Sequence, residues 1–470
     1  MPDMLPDHRD ASSGQAAVSR NPATGEVFAH YPYDDAAAIE RRLAAAQTGY
    51  RAWRETPVAQ RAAVLARLAG ILERDVEALA ALITAEMGKT LAEARAEVRK
   101  CANTARWFSE HGPALIADEP APVEGEDVYV AYLPIGTVLG IMPWNFPLWQ
   151  AIRAAVPITL GGNGFLLKHA PNVMGSAYAL EAAWLQAGAP AGVFGVVNVD
   201  NDPVEAIIGD PRIAAVTLTG SPRAGSAVAA LAGRALKKSV LELGGSDPFV
   251  VLADADIERA VAAALGGRFG NCGQVCLAAK RFILEQPIAG DFTRRFVDAA
   301  RNLVAGDPTD PATTIGPIAR EDLRETLDQQ VQKAIAQGAR VLLGGHRRQG
   351  PGWFYEPTIL ADLGPGNTAF DEEMFGPVAA IIVASDAEHA LTLANATEYG
   401  LSSNLWTRDI DGAKRLARRI EAGGVFINGF TASDPRTPVG GVKRSGYGRE
   451  LSHFGIREFV NAQVVWTRKG

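Results

Sequence analysis

Apolar positions recur at the spacing of one helix face in the first quarter of the chain, with Val64, Leu65, Leu68, Ile71 and Leu72 aligned within a helical region over 59–111. A second run over 76–87 ends at Gly88, a residue suited to a C-cap, and a third opens near Thr90 and carries Cys101 and Trp107. The texture then changes to short β-type runs bounded by glycine, alternating with alanine-rich helical runs. Strands are predicted over 137–142, 165–168, 193–199, 214–219 and 239–243, with a helix over 175–187. Such alternation specifies βαβ units and a parallel, doubly wound sheet of Rossmann-like topology. A second α/β region follows, with strands over 249–252, 281–284, 340–343, 378–384, 403–407 and 424–427 and helices over 257–265 and 291–303. A last strand over 458–467 puts Val460, Ala462, Val464 and Trp466 on one face. No helix follows to return it to a sheet, so it reads as an unpaired edge that another subunit would cover.

At 470 residues the chain exceeds one ordinary core, so two or three domains are expected. Hydrophobic residues at 47% and charged residues at 21% describe a folded chain rather than a disordered one. The net charge of −7 argues against a nucleic-acid or anionic-membrane surface. Three cysteines, Cys101, Cys272 and Cys276, make no disulfide framework and suit a reducing compartment. Acids and prolines stand at the N-terminus where a signal peptide needs basic and then apolar residues, so a cytoplasmic location is expected, with residues up to about Ser19 loose. No His/Cys cluster has metal-ligand spacing, and no metal is expected.

The usual dinucleotide fingerprint, Gly-x-Gly-x-x-Gly after a strand, is missing. Its nearest substitute is Thr219-Gly220-Ser221-Pro222-Arg223-Ala224-Gly225, which leaves a strand and opens a helix, where backbone amides can approach a phosphate. By itself it is equally an ordinary strand–turn–helix junction. Cys276 stands in a glycine-containing turn, and nearby amides there would lower a thiol pKa and make it a nucleophile; an inert buried thiol fits as well. Glu242, between two leucines, is a carboxylate in apolar surroundings, where a raised pKa suits a general base. Asn145, in Pro143-Trp144-Asn145-Phe146-Pro147, is either an oxyanion donor or a turn residue.

Taken in order, the pieces are specific. Pro-Trp-Asn-Phe-Pro, Thr-Gly-Ser, Glu-Leu-Gly-Gly, Gly-Gln-x-Cys, Glu372-Glu373-Met374-Phe375-Gly376-Pro377 and Gly440-Gly441-Val442-Lys443-Arg444-Ser445-Gly446 together resemble the aldehyde dehydrogenase superfamily from about Asn21 to the C-terminus. The chain looks most like its short bacterial succinate-semialdehyde dehydrogenases, which share Lys168-His169-Ala170-Pro171, Leu243-Gly244-Gly245-Ser246-Asp247-Pro248 and Glu450-Leu451-Ser452-His453-Phe454-Gly455.

That resemblance implies an α/β fold with a Rossmann-like cofactor domain over 1–116 and 135–244, a catalytic domain over 245–441, and a small β oligomerisation element over 117–134 and 455–470. It implies a homodimer or homotetramer acting on a small aldehyde, with NAD or NADP. Cys276 would attack the aldehyde to give a thiohemiacetal and then a thioester, Asn145 would hold the oxyanion, and Glu242 would activate water. Trp144, Lys168, Gly220, Ser221, Glu373 and Phe375 would hold the dinucleotide. Where many NAD-specific members carry a glutamate, Pro171 stands, so NADP should be tolerated. Arg153 and Ser433 match residues that grip a distal carboxylate; a second arginine of other members is Gly270 here, with Arg436 a candidate replacement. Cys272 takes the place of a threonine, and on a helix it would lie too far from Cys276 for a disulfide. The leading expectation is oxidation of succinate semialdehyde. Its rivals are another aliphatic or aromatic aldehyde, a coenzyme-A-acylating reaction, and a binding or structural protein that kept only the fold.

Overall fold

The computed structural model describes residues 16–468. Two large sheets organise it. The first has six strands in the order Gly446–Tyr447, Lys238–Glu242, Ile213–Thr219, Thr137–Met142, Gly164–His169, Phe194–Val196. All run parallel except the short Gly446–Tyr447, which pairs antiparallel with Lys238–Glu242 and comes from a segment outside the expected domain limits. Helices cover both faces of this sheet. Successive side chains therefore enter opposite cores: Val138 and Met142 join the cluster with Leu65, Leu68 and Val98, whereas Leu139 joins Leu166, Val216 and Leu241.

The second sheet has seven strands in the order Arg340–Leu343, Thr358–Ala361, Val378–Ala384, Ala279–Glu285, Asp247–Val251, Ser402–Trp406, Gly424–Ile427, with only Arg340–Leu343 antiparallel. A mixed α/β fold with parallel sheets is thus the observed class. Among the described residues no helix is long and apolar enough to cross a membrane.

The helical region resolves into Val58–Arg74, Val76–Met87 and Leu91–Leu115. Gly88 ends the second in the left-handed region at φ +86°, and Thr90 with Glu93 forms a capping box on the third. Two expectations fail. Ala16–Ser19 is not loose: Ala16–Arg20 pairs antiparallel with Val27–Pro32, which ties that segment to the body. Nor does the terminal strand stand alone, since Val460–Thr467 pairs along its length with Asp127–Pro134 in a three-stranded sheet completed by Glu119–Pro120. The pattern held no signal for a partner more than 300 residues upstream. Among the described residues no strand borders the terminal strand's other edge, and Val464 and Trp466 remain more than half exposed.

Candidate active site

In the first sheet the winding reverses between the adjacent strands Thr137–Met142 and Ile213–Thr219. Ligands of doubly wound sheets bind outside the carboxyl ends of strands at such a point. The loops leaving these two strands carry Trp144 and Asn145 on one side and Gly220 and Ser221 on the other, and Glu242 closes the next strand. Cys276 arrives from the opposite direction, just before the second sheet's strand Ala279–Glu285. The sheets thus bring together residues more than 130 positions apart.

The Cys276 loop is held by amides rather than by helix. Asn271 and Cys272 both adopt left-handed backbone at φ +53°, so this segment is an irregular turn, and Cys272 is a buried free thiol within it. The Asn145 side-chain NH₂ donates to the Gln274 carbonyl at 2.9 Å, leaving its second N–H for another acceptor. The Asn271 side chain donates to the carbonyls of Asn145 and Gln274 at 3.0 and 3.2 Å. Buried Arg268 donates to the carbonyls of Gly273, Met374 and Gly376, clamping the Cys276 turn to the segment bearing Glu373 and Phe375. Lys280 Nζ donates to the Cys276 carbonyl at 2.7 Å and lies 3.4 Å from Glu373.

The Asn145 loop has its own braces. Buried His169 contacts the Pro147 carbonyl through Nε2 at 2.7 Å, while Nδ1 accepts from the Ala170 N–H. Burial lowers its pKa to about 4, so the ring is neutral and serves as a staple. Glu97 accepts from the first N–H groups of helix Trp149–Leu160, at 2.9 Å from Leu148 and 3.0 Å from Trp149, and from Lys89 Nζ at 2.5 Å. Arg268, His169 and Glu97 were not singled out by sequence because each acts through a backbone atom of another segment, and Lys280 because it acts through the carbonyls of its own loop and the distant Glu373 carboxylate.

Electrostatically the centre is dry and mixed in sign. Burial pushes the Cys276 thiol up to about 11; Arg153 and Lys280 draw it down, while Glu242 and Glu373 add to the rise. The expectation of a lowered thiol pKa is therefore corrected: loss of water outweighs the neighbouring cations. The Glu242 carboxyl is also raised, first by burial, against the pull of Arg153. Its Oε1 packs at Gly440 and has no hydrogen-bond partner.

Arg153 departs most from expectation. It is buried on helix Trp149–Leu160, its Nε meets the Glu450 carboxylate, and its NH2 group donates to Thr219 Oγ1 at 3.2 Å. It borders neither cavity beside Cys276. The fork expected to take a substrate carboxylate already holds one from its own chain. Arg436, the candidate replacement, is exposed and paired with Asp434 at 2.7 Å. Ser433 Oγ accepts from Lys100 Nζ at 2.6 Å.

Two cavities flank the Cys276 loop. One, of about 250 Å³, is lined by Trp144, Asn145, Gly220, Ser221, Glu373 and Phe375, with Cys276 at its end. Ser221 caps helix Pro222–Arg234, so this cavity opens at a helix N-terminus beside a glycine without a side chain. Trp144 and Phe375 meet edge to face at 5.8 Å. Apolar rings at one end and a helix N-terminus at the other fit a dinucleotide's ring and phosphates. Lys168 lies outside this lining, buried on strand Gly164–His169, with Asp200 the acid that favours its charge. The other cavity, of about 290 Å³, is walled by Phe146, Trp149, Val275, Leu277, Phe430 and Lys100. A larger cleft of about 770 Å³, near Arg294 and Arg340, contains none of these residues.

A model described as the aldehyde dehydrogenase family matches residues 8–465. The chain is 57% identical to the succinate semialdehyde dehydrogenase [NAD(P)+] Sad of Escherichia coli strain K12, over 96% of this chain and 97% of that one. It is 48% identical to succinate-semialdehyde dehydrogenase [NADP(+)] 1 of Mycobacterium tuberculosis strain H37Rv, over 95% and 98%. Among solved structures, the succinic semialdehyde dehydrogenase of Streptococcus pyogenes in complex with NADP+ superposes with a TM-score of 0.95 at 35% identity, covering 97% of this chain and 100% of that one.

Proposed function

Because the chain belongs to the aldehyde dehydrogenase family, we propose that it oxidises succinate semialdehyde to succinate with NAD+ or NADP+ as hydride acceptor. The observation that carries this reading is that Cys276 and Asn145 share the cavity of aromatic rings and strand ends, while Glu242, lining neither cavity, lies near enough to raise the Cys276 thiol. The relatives' names supply the aldehyde.

Cys276 Sγ loses its proton and attacks the aldehyde carbon, an event that Arg153 and Lys280 assist by favouring thiolate. The free N–H of Asn145 and the Cys276 backbone N–H stabilise the oxygen as it gains charge. Trp144, Gly220, Ser221, Glu373 and Phe375 would hold the dinucleotide, with Lys168 reaching it from beyond their cavity, and the dinucleotide would supply the acceptor for the aldehyde hydrogen. A thioester on Cys276 remains. For its part Glu242 turns from Gly440 toward Cys276, takes a proton from water, and directs the oxygen at the thioester carbon. The acid leaves and Sγ is restored. Pro171 puts no negative charge beside the ribose, so a 2′-phosphate is tolerated. We place assembly on the exposed edge of Val460–Thr467, as a homodimer or homotetramer.

Kinetics of the purified enzyme with succinate semialdehyde, butanal and benzaldehyde, each with NAD+ and NADP+, test the reading. Expected is a kcat/KM for succinate semialdehyde about tenfold or more above either neutral aldehyde, the worth of one charge-assisted contact. Equal or better turnover of a neutral aldehyde overturns the substrate assignment.

A further inference from the structure

We propose that Lys100, with Ser433 as its hydroxyl partner, is the cation that receives the distal carboxylate of the aldehyde substrate. This rests on the reading that the substrate is a carboxylated aldehyde.

Three charged side chains border the cavity beyond the Cys276 loop: Glu93, Glu97 and Lys100. Both acids are spent on the protein. Glu97 is neutralised by Lys89 and by two backbone N–H groups. Glu93 takes the Asn271 N–H at 2.6 Å and closes the capping box with Thr90. Lys100 differs. Among the described residues no carboxylate lies within ion-pair distance of it; its Nζ donates to Ser433 Oγ at 2.6 Å and sits 4.1 Å from the centre of the Trp149 ring. Asp434, next along the chain, feels its charge but is committed to Arg436.

A half-buried cation with no carboxylate at ion-pair distance gains when a ligand carboxylate completes it. Burial first, then repulsion from Arg153, lower the Lys100 pKa to about 8 against the pull of Cys101, Glu97 and Cys276, and an incoming carboxylate would reverse that fall. The cavity also suits the tail of a short acid. Val275 and Leu277, on either side of the nucleophile, line the same wall, so an aldehyde seated at Cys276 projects its far end here. Gly270 lines it too and contributes no side chain. With Arg153 closed on Glu450 and Arg436 on Asp434, Lys100 is the basic group facing this space.

The test compares kcat/KM for succinate semialdehyde and for butanal, its neutral counterpart of equal chain length, in wild type, Lys100→Met, Lys100→Arg and Arg153→Lys. In Lys100→Met the ratio of the two should fall about 10–100-fold, the range for losing a charge-assisted contact, and Lys100→Arg should restore part of it. An unchanged ratio in Lys100→Met, or a collapse in Arg153→Lys alone, overturns the assignment while leaving the substrate reading intact. If wild type itself prefers butanal, both fall. A second readout needs no folded methionine variant: inhibition by succinate in wild type should weaken as pH rises from 7 to 10 and Lys100 loses its proton. In Lys100→Arg, which keeps its charge, that part of the weakening should vanish. Identical pH profiles in the two proteins also overturn the proposal.

Discussion

The two cavities beside Cys276 are built from different materials. On the side proposed for the dinucleotide the wall is built largely of strand ends and the residues that follow them, Trp144, Gly220, Ser221 and Gly244, joined by Glu373 and Phe375, so that backbone position carries much of the recognition. On the aldehyde side the wall consists of side chains from remote elements, Lys100 from a long helix and Phe430 and Thr431 from a late loop, so that side-chain identity is. The fold therefore prescribes the first cavity and leaves the second free to vary. Substitutions on the dinucleotide side should act alike on every aldehyde, and substitutions on the aldehyde side should act alike with either dinucleotide.

The largest effect expected at the seam is that of Glu242→Gln. Loss of a general base costs about 10²–10⁴-fold in steady-state turnover. Acylation does not need that base, so a burst of reduced dinucleotide equal to the enzyme concentration should precede the slow phase, with succinate semialdehyde and butanal alike. The pH dependence follows from the sign of the shift. Burial raises the Glu242 carboxyl, and the base is its deprotonated form, so wild-type deacylation should climb as pH rises through that raised value. The glutamine variant should lack this limb in its slow phase, while the rise due to the Cys276 thiol, raised to about 11, remains in the burst. Rapid-mix kinetics across pH measure both; a variant without a burst would remove Glu242 from deacylation.

A second effect separates support from recognition. Glu450→Gln leaves the Arg153 guanidinium buried without its carboxylate, at a cost of about 3–5 kcal/mol in unfolding free energy. Urea denaturation should show that loss, and aldehyde discrimination should change little. Should stability hold while discrimination against butanal collapses, Arg153 would belong to the aldehyde side after all, and the contrast between the cavities would blur.

The same contrast explains what the sequence made legible. Thr137–Met142 and Val378–Ala384 could be read from apolar runs and flanking glycines because a buried parallel strand is local in its signal. Cys276, Glu242 and Asn145 could be proposed together from the sequence, since their order and spacing survive in linear form. Helix Ala36–Arg54 was missed: alanines and arginines dilute its apolar stripe to Leu43, Ala46, Gly49 and Trp53. Glu450 and Lys100 were in plain view but carried no signal. Their meaning lies in which partner each has, and partnership between positions 153 and 450, or 100 and 433, is decided only by packing.

The smallest effect tests the dinucleotide side where it is least constrained. Pro171 is exposed at the start of the turn Pro171–Val173, directly after the strand that carries Lys168. Pro171→Glu sets a carboxylate there, able to accept from a ribose 2′-hydroxyl and to repel a 2′-phosphate. Because the position is open to solvent, screening keeps the gain and the repulsion modest. The NADP+/NAD+ ratio of kcat/KM should therefore fall about tenfold, equivalent to ~1.4 kcal/mol. The fall should be equal with succinate semialdehyde and butanal, since nothing at position 171 reaches the aldehyde cavity. A ratio that does not move would mean that the ribose lies away from Pro171. A ratio that moves with one aldehyde only would mean that the two cavities are coupled through the Cys276 loop rather than independent across it.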